Sequence, residues 1–391
     1  MLFKETRNCL RSDEVTAAMI DFTTVSREFR SVVSRRRELL TFLGTVFAAL
    51  GIFLQNVLQD NLPDSLRNLK DHVFAFYAVM LLVPSLVLAL RNAKLHSGMV
   101  LNGILYARLM QEQTFTSRKG DPQRAAQHNF FGVSFLMFLL TDLIAGFSAV
   151  LLAVALALPW WAAVLAGAGV FVLWFFLYLH FHRQAAAFAL AKIATDQCKP
   201  FDENEWQDHV AGSLEDVNND MISVLAFVGL IAFSVFEGLS GWKRLAGNTE
   251  LDPRAVQEFG PIVLGLLLVV TCFVGMLTYV RLRVAVGNFS LQIDPTDQPF
   301  RPLRLTDSFL GYVLLAFLFG ISWYVLLYMV APGLGEVLLL IISGLAFLAA
   351  IAMEQLTVYF AGKAAGPPRP PTPDREKTNY AEDSAAGRKS P

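Results

Sequence analysis

The chain has 391 residues, of which 54% are hydrophobic and 17% charged, with a formal net charge of −1. A water-soluble domain carries about 25% charged residues, so this composition excludes an ordinary soluble globular protein. Apolar windows of near 20 residues recur instead, the length that crosses a bilayer core of about 30 Å as a helix. They fall at about 39–58, 73–90, 137–158, 161–181, 221–240, 261–280, 308–331 and 336–360. None shows the two-residue alternation of barrel strands. The predicted fold is therefore all-α: a polytopic integral membrane protein of about eight transmembrane helices, arranged as four hairpins in two halves.

Residues 1–38 precede the first span. Val15, Ala18, Phe22, Val25, Phe29 and Val32 recur at spacings of three and four, which predicts a helix over 12–37. Ser12, Asp13 and Glu14 suit its first turn. Arg27, Arg30, Arg35, Arg36 and Arg37 form a basic cluster at its far end, expected to face anionic lipid headgroups. The helix lies on the inner surface in this reading; its short heptad run also allows a coiled coil, and hence a homo-oligomer or a membrane partner. No small-residue cleavage site follows the span 39–58, so an uncleaved signal anchor is expected.

Charge orients the rest. Of the 32 Lys and Arg residues, 27 fall in the segments on the same side as the termini. The positive-inside rule then predicts cytoplasmic N- and C-termini in a plasma (inner) membrane protein. After the second span, Leu95, Met99, Asn102, Tyr106 and Leu109 predict a helix projecting inward over 91–113. "HFHRQAAAFALAKIA" after the fourth span predicts another. Together the segments 39–195 make the first membrane half.

The third span contains Asp142. From Asp142 to Pro159 a helix rises about 25 Å, which places the acid about one turn inside the inner boundary. Residues 130–140 then lie along the inner surface. A tilted helix starting near residue 130 would instead sink Asp142 toward the midplane, where an ionisable group is functional by default. "AAVLAGAG" at 162–169 sets small residues, including Ala163 and Gly167, at a spacing suited to close helix packing.

Residues 196–220 carry eight acids against Lys199 and read as an acidic, solvated cytoplasmic linker. The second membrane half covers 221–362, and the Pro-rich, charged 363–391 reads as a disordered tail. A weak internal repeat runs through the odd spans, each preceded or opened by an acid: Glu38, Asp142, Asp220 and Asp307. Glu38, Asp220 and Asp307 are expected around an inner mouth. Asp142, Glu237 and Glu354 are the acids expected to be membrane-embedded and linked to protons or ions.

No enzyme chemistry emerges. His180 and His182 point to different helix faces, so no metal site is expected, and Ser240 in "GLSG" has no visible base. No phosphate loop, cofactor motif or nucleic-acid partner is indicated. The expected function is a channel or transporter for a small ion or solute, because transporters are often built from repeats. The alternative is a non-transporting scaffold or signalling protein that acts through its inner helices and tail.

Overall fold

The computed structural model describes residues 19–58, 72–112, 132–246, 254–293 and 307–365. They form β1 (Met19–Ile20), α1 (Phe22–Leu58), α2 (Val73–Glu112), α3 (Val133–Ala155), α4 (Trp160–Thr195), β2 (Gln197–Cys198), α5 (Glu203–Ala246), α6 (Arg254–Ile293), α7 (Asp307–Val330) and α8 (Glu336–Ala365). Eight of the described helices are long and apolar enough to cross a membrane. The predicted tail beyond 365 and the predicted cap at residues 12–14 lie outside the described residues.

Five helices close a ring. α1 packs on α2 and α5, α5 on α6, α6 on α3, and α3 on α2. Its interior is apolar, filled by Phe47, Tyr77, Leu81, Ile144, Phe227, Ile231 and Leu264, all but fully buried. α4 lies outside against α2 and α3, while α7 packs on α6 and α8 on α7. The peripheral helices keep broad apolar faces exposed, among them Leu173 and Phe176 of α4 and Leu340 and Leu348 of α8. Such faces suit lipid, where apolar exposure costs nothing.

Several helices are much longer than a bilayer core. α5 has 44 residues, about 66 Å, and α2 has 40, about 60 Å, against a core of about 30 Å. The surplus gathers at one end as a stalk. There Phe22 stacks on Phe201 with ring centroids 4.0 Å apart, Tyr106 on Trp206 at 5.8 Å, and Ala189 of α4 packs on Val100 and Ile104. The inward-projecting helices expected after the second and fourth spans are thus continuous with α2 and α4.

The structure corrects three expectations here. The first described helix starts at Phe22, because Met19 and Ile20 pair in parallel with Gln197 and Cys198 instead of coiling; residues 12–18 of the predicted helix lie outside the described residues. Its apolar stripe packs on the chain's own α2 and α5. The acidic linker is helical from residue 203, because Trp206, Val210, Ser213 and Val217 recur at helical spacing and turn inward. α3 starts at Val133, so residues 133–140 belong to the same helix as Asp142. Tyr178 and Tyr279 are buried.

Asp21 caps α1. Its Oδ2 accepts from the Thr24 backbone N–H at 3.2 Å and from the Thr24 hydroxyl at 2.9 Å, and Lys199 Nζ lies 3.4 Å from Oδ1. Partial burial pushes this carboxyl up, but Thr24 and Lys199 outweigh it and hold it below the ordinary 3.8. The lowered value means the cap stabilises fully above 3.8 and its contribution is lost as pH falls through the folded value. Asp21→Ala is expected to cost about 1 kcal/mol at neutral pH. Unfolding curves at neutral and strongly acidic pH check this, since the difference between the proteins should shrink in acid.

The small-residue spacing on α4 does close α4 onto α3. A Cβ on Gly167 would collide with the Val150 side chain and sit 2.8 Å from the Gly146 carbonyl oxygen. Backbone cannot yield as a side-chain tip does. Gly167→Ala is therefore expected to destabilise by about 1–3 kcal/mol, read as a lower midpoint of unfolding. Beyond this crossing α3 ends with Ala157 in the left-handed region at φ 55°, and Leu158 N–H donates back to Ala153 O at 3.0 Å. That tight turn leads directly to Pro159 and α4.

Candidate functional site

All five ring helices meet at a cleft of about 190 Å³ where the ring joins the stalk. α1 contributes Phe29, Val33 and Arg36, spaced four and three apart so that they share one face. α5 contributes Ser213, Asp216, Val217 and Asp220 on the same principle. His96 and Met99 of α2, Ser134 of α3 and Leu282 of α6 complete much of the wall.

The charged groups of α1 and α5 pair with one another. Arg36 is 4% and Asp220 1% exposed, and they form a direct ion pair. Arg36 Nη1 also donates to Ser134 Oγ at 3.1 Å. Arg30 Nε donates to Asp216 Oδ2 at 3.0 Å, and Arg37 Nη1 lies 3.6 Å from Asp216 Oδ1. The basic cluster thus divides: Arg27 and Arg35 are exposed, whereas Arg36 is interior, where it answers a buried aspartate rather than a headgroup. Two atoms of the central pair, Arg36 Nε and Asp220 Oδ1, are buried without a hydrogen-bond partner among the described residues.

His96 lines the cleft and passes through the ring wall to α4. Its Nε2 is 3.0 Å from His182 Nδ1, and its Nδ1 is 3.3 Å from the Tyr178 hydroxyl. With Tyr178 donating, His96 Nε2–H donates onward to His182. His180 is exposed on another face of α4, as the two-residue spacing requires. Among the described residues no group of three metal-ligating side chains occurs.

Asp142 lies nine residues into α3, about 14 Å along a helix of about 34 Å. It is 0% exposed, and neither carboxylate oxygen has a hydrogen-bond partner among the described residues. One turn before it Phe138 stacks on Tyr178 at 4.5 Å, and one turn after it Gly146 meets Gly167. Asp142 therefore lies along the α3–α4 seam. Beside it, Asn92 of α2 donates to Thr141 Oγ1 at 3.5 Å, and the buried Trp174 Nε1 is likewise without an acceptor among the described residues.

The other predicted acids have different surroundings. Glu354 is 0% exposed but ion-paired with Arg283, whose guanidinium lies 5.8 Å from the Phe309 ring centroid. Glu237 is half-buried toward the other end of α5. Glu38 is exposed and accepts from Ser34 Oγ at 3.3 Å. Asp307 opens α7, and its side chain lies outside the described residues. Glu38 and Asp220 are not brought together: one is at the surface and the other is locked to Arg36. Sequence reasoning missed Asp216, His96 and the arginine–aspartate pairing. The readable signal was reciprocity, four arginines within 30–37 and two aspartates within 216–220 on segments that helical periodicity turns inward.

Compared with protein-family models, curated proteins and solved structures, the chain has no match.

Proposed function

We propose that this multi-pass membrane protein is a channel or transporter for a small ion or solute, with a path along the five-helix ring. The observation that carries this reading is the cleft itself: five spans converge on one pocket lined by buried, opposed charges at the ring's end. Folding alone gains little from such an arrangement, since well-packed apolar residues often serve stability as well or better. Asp142 adds a protonatable group within a span, with neither carboxylate oxygen hydrogen-bonded among the described residues. A metal cation needs about six oxygen ligands, so a proton suits this single carboxyl better. Glu354, already paired, is the weaker proton site.

In this reading the spans form four hairpins, the stalk and both termini face the cytoplasm, and the membrane is the plasma (inner) membrane. The charge asymmetry of the sequence supports that orientation. The chain is a carrier and not an enzyme. The scaffold reading draws on the stalk and its packed aromatic cluster. Reconstitution into liposomes separates the two. Gradient-driven flux of protons or small solutes above that of empty liposomes supports transport, and no flux under any gradient sinks it.

A further inference from the structure

We propose that the cleft binds a small organic acid with a hydrogen-bond donor on its α-carbon, an α-hydroxy or α-amino acid of a few carbons. This names the substrate class for the transport proposed above and rests on that reading. Two residues lining the cleft, Arg36 and Asp220, each carry a buried atom without a hydrogen-bond partner among the described residues: the Arg36 Nε–H donor and the Asp220 Oδ1 acceptor. Both residues are more than nine-tenths buried. A ligand that matches them presents a carboxylate to the guanidinium and a donor to the aspartate. In an α-substituted acid these groups sit on adjacent carbons.

Charge and size agree. Arg30, Arg36 and Arg37 face Asp216 and Asp220 across α1 and α5, leaving one positive charge beyond neutrality, which a hydroxy acid would balance. An amino acid would instead set its ammonium against Asp220. A cleft of about 190 Å³ has room for about six waters at roughly 30 Å³ each, enough for a short acid. Its apolar wall, Val33, Met99 and Val217, accommodates the carbon skeleton.

Propionate, lactate and alanine share a three-carbon skeleton and differ only in the α-substituent, so they isolate the donor. Titration calorimetry of the purified full chain in lipid nanodiscs should show lactate or alanine binding tighter than propionate by about tenfold or more, the discrimination expected when a buried polar atom is left unmatched. Tighter lactate assigns the spare arginine charge to the ligand; tighter alanine assigns the ammonium to Asp220. Met99→Trp and Val217→Phe fill the cleft from opposite helices without touching its charges, and whichever of them folds should abolish binding. Equal affinity for propionate, no saturable binding of any of the three, or binding unchanged in a folded filled variant would overturn the proposal. Binding without flux in liposomes would leave this site standing and remove the transport reading; flux without binding would do the reverse.

Discussion

Arg36→Ala will destabilise the protein by about 3–5 kcal/mol, the cost of leaving a buried charge without its partner. The stranded group is Asp220, which is 1% exposed and has no other cation at hydrogen-bond distance among the described residues. Arg36 also holds Ser134, so the variant loosens the start of α3 as well. Arg30→Ala gives the contrasting result. Arg30 is 43% exposed, and exposed pairs contribute about 0–1 kcal/mol. The double variant Arg36→Met with Asp220→Leu should recover most of the loss, because removing both charges removes the desolvation cost together with the attraction. Denaturant unfolding of the solubilised protein checks all three. Equal losses for Arg30→Ala and Arg36→Ala would show that the interior pair carries no special weight.

Asp142 should respond in the opposite direction. Asp142→Leu is expected to stabilise by about 1–3 kcal/mol, because a buried carboxyl without a hydrogen-bond partner among the described residues is replaced by an apolar group. Transport should be lost in the same variant. Stability and activity then move apart, which is the signature of a residue kept for function at the expense of packing. If Asp142→Leu destabilises instead, the carboxyl has a structural role and the proton-site reading fails.

The helical class and the eight apolar helices were legible because bilayer length and hydropathy are local properties. The site was less so. Asp142 stood out as the acid inside an apolar run, but its depth depended on where α3 begins. Val133, Leu136, Met137 and Leu140 read equally well as an inner-surface segment or as the first turns of a span. Packing against α2 and α6 decides between them, and packing is not local. Arg36 shows the same limit. Five arginines in eleven positions suggest headgroups, and only the position of α5 reveals that Arg36 has an aspartate to meet. His96 and Tyr178 gave no signal at all, since their contact joins residues 82 apart in the chain.

Proton flux into liposomes under an imposed pH gradient, compared between wild type and Asp142→Asn, bears on the whole proposal. Asn keeps the size of the side chain and removes only its proton. The exposed Glu28 on α1 supplies a control, since Glu28→Gln removes an acid that neither lines the cleft nor lies on α3. The expected result is flux in wild type and Glu28→Gln, falling to that of empty liposomes in Asp142→Asn. Equal flux through wild type and Asp142→Asn would contradict a proton-carrying role for Asp142, and no flux through any of the three would contradict transport itself.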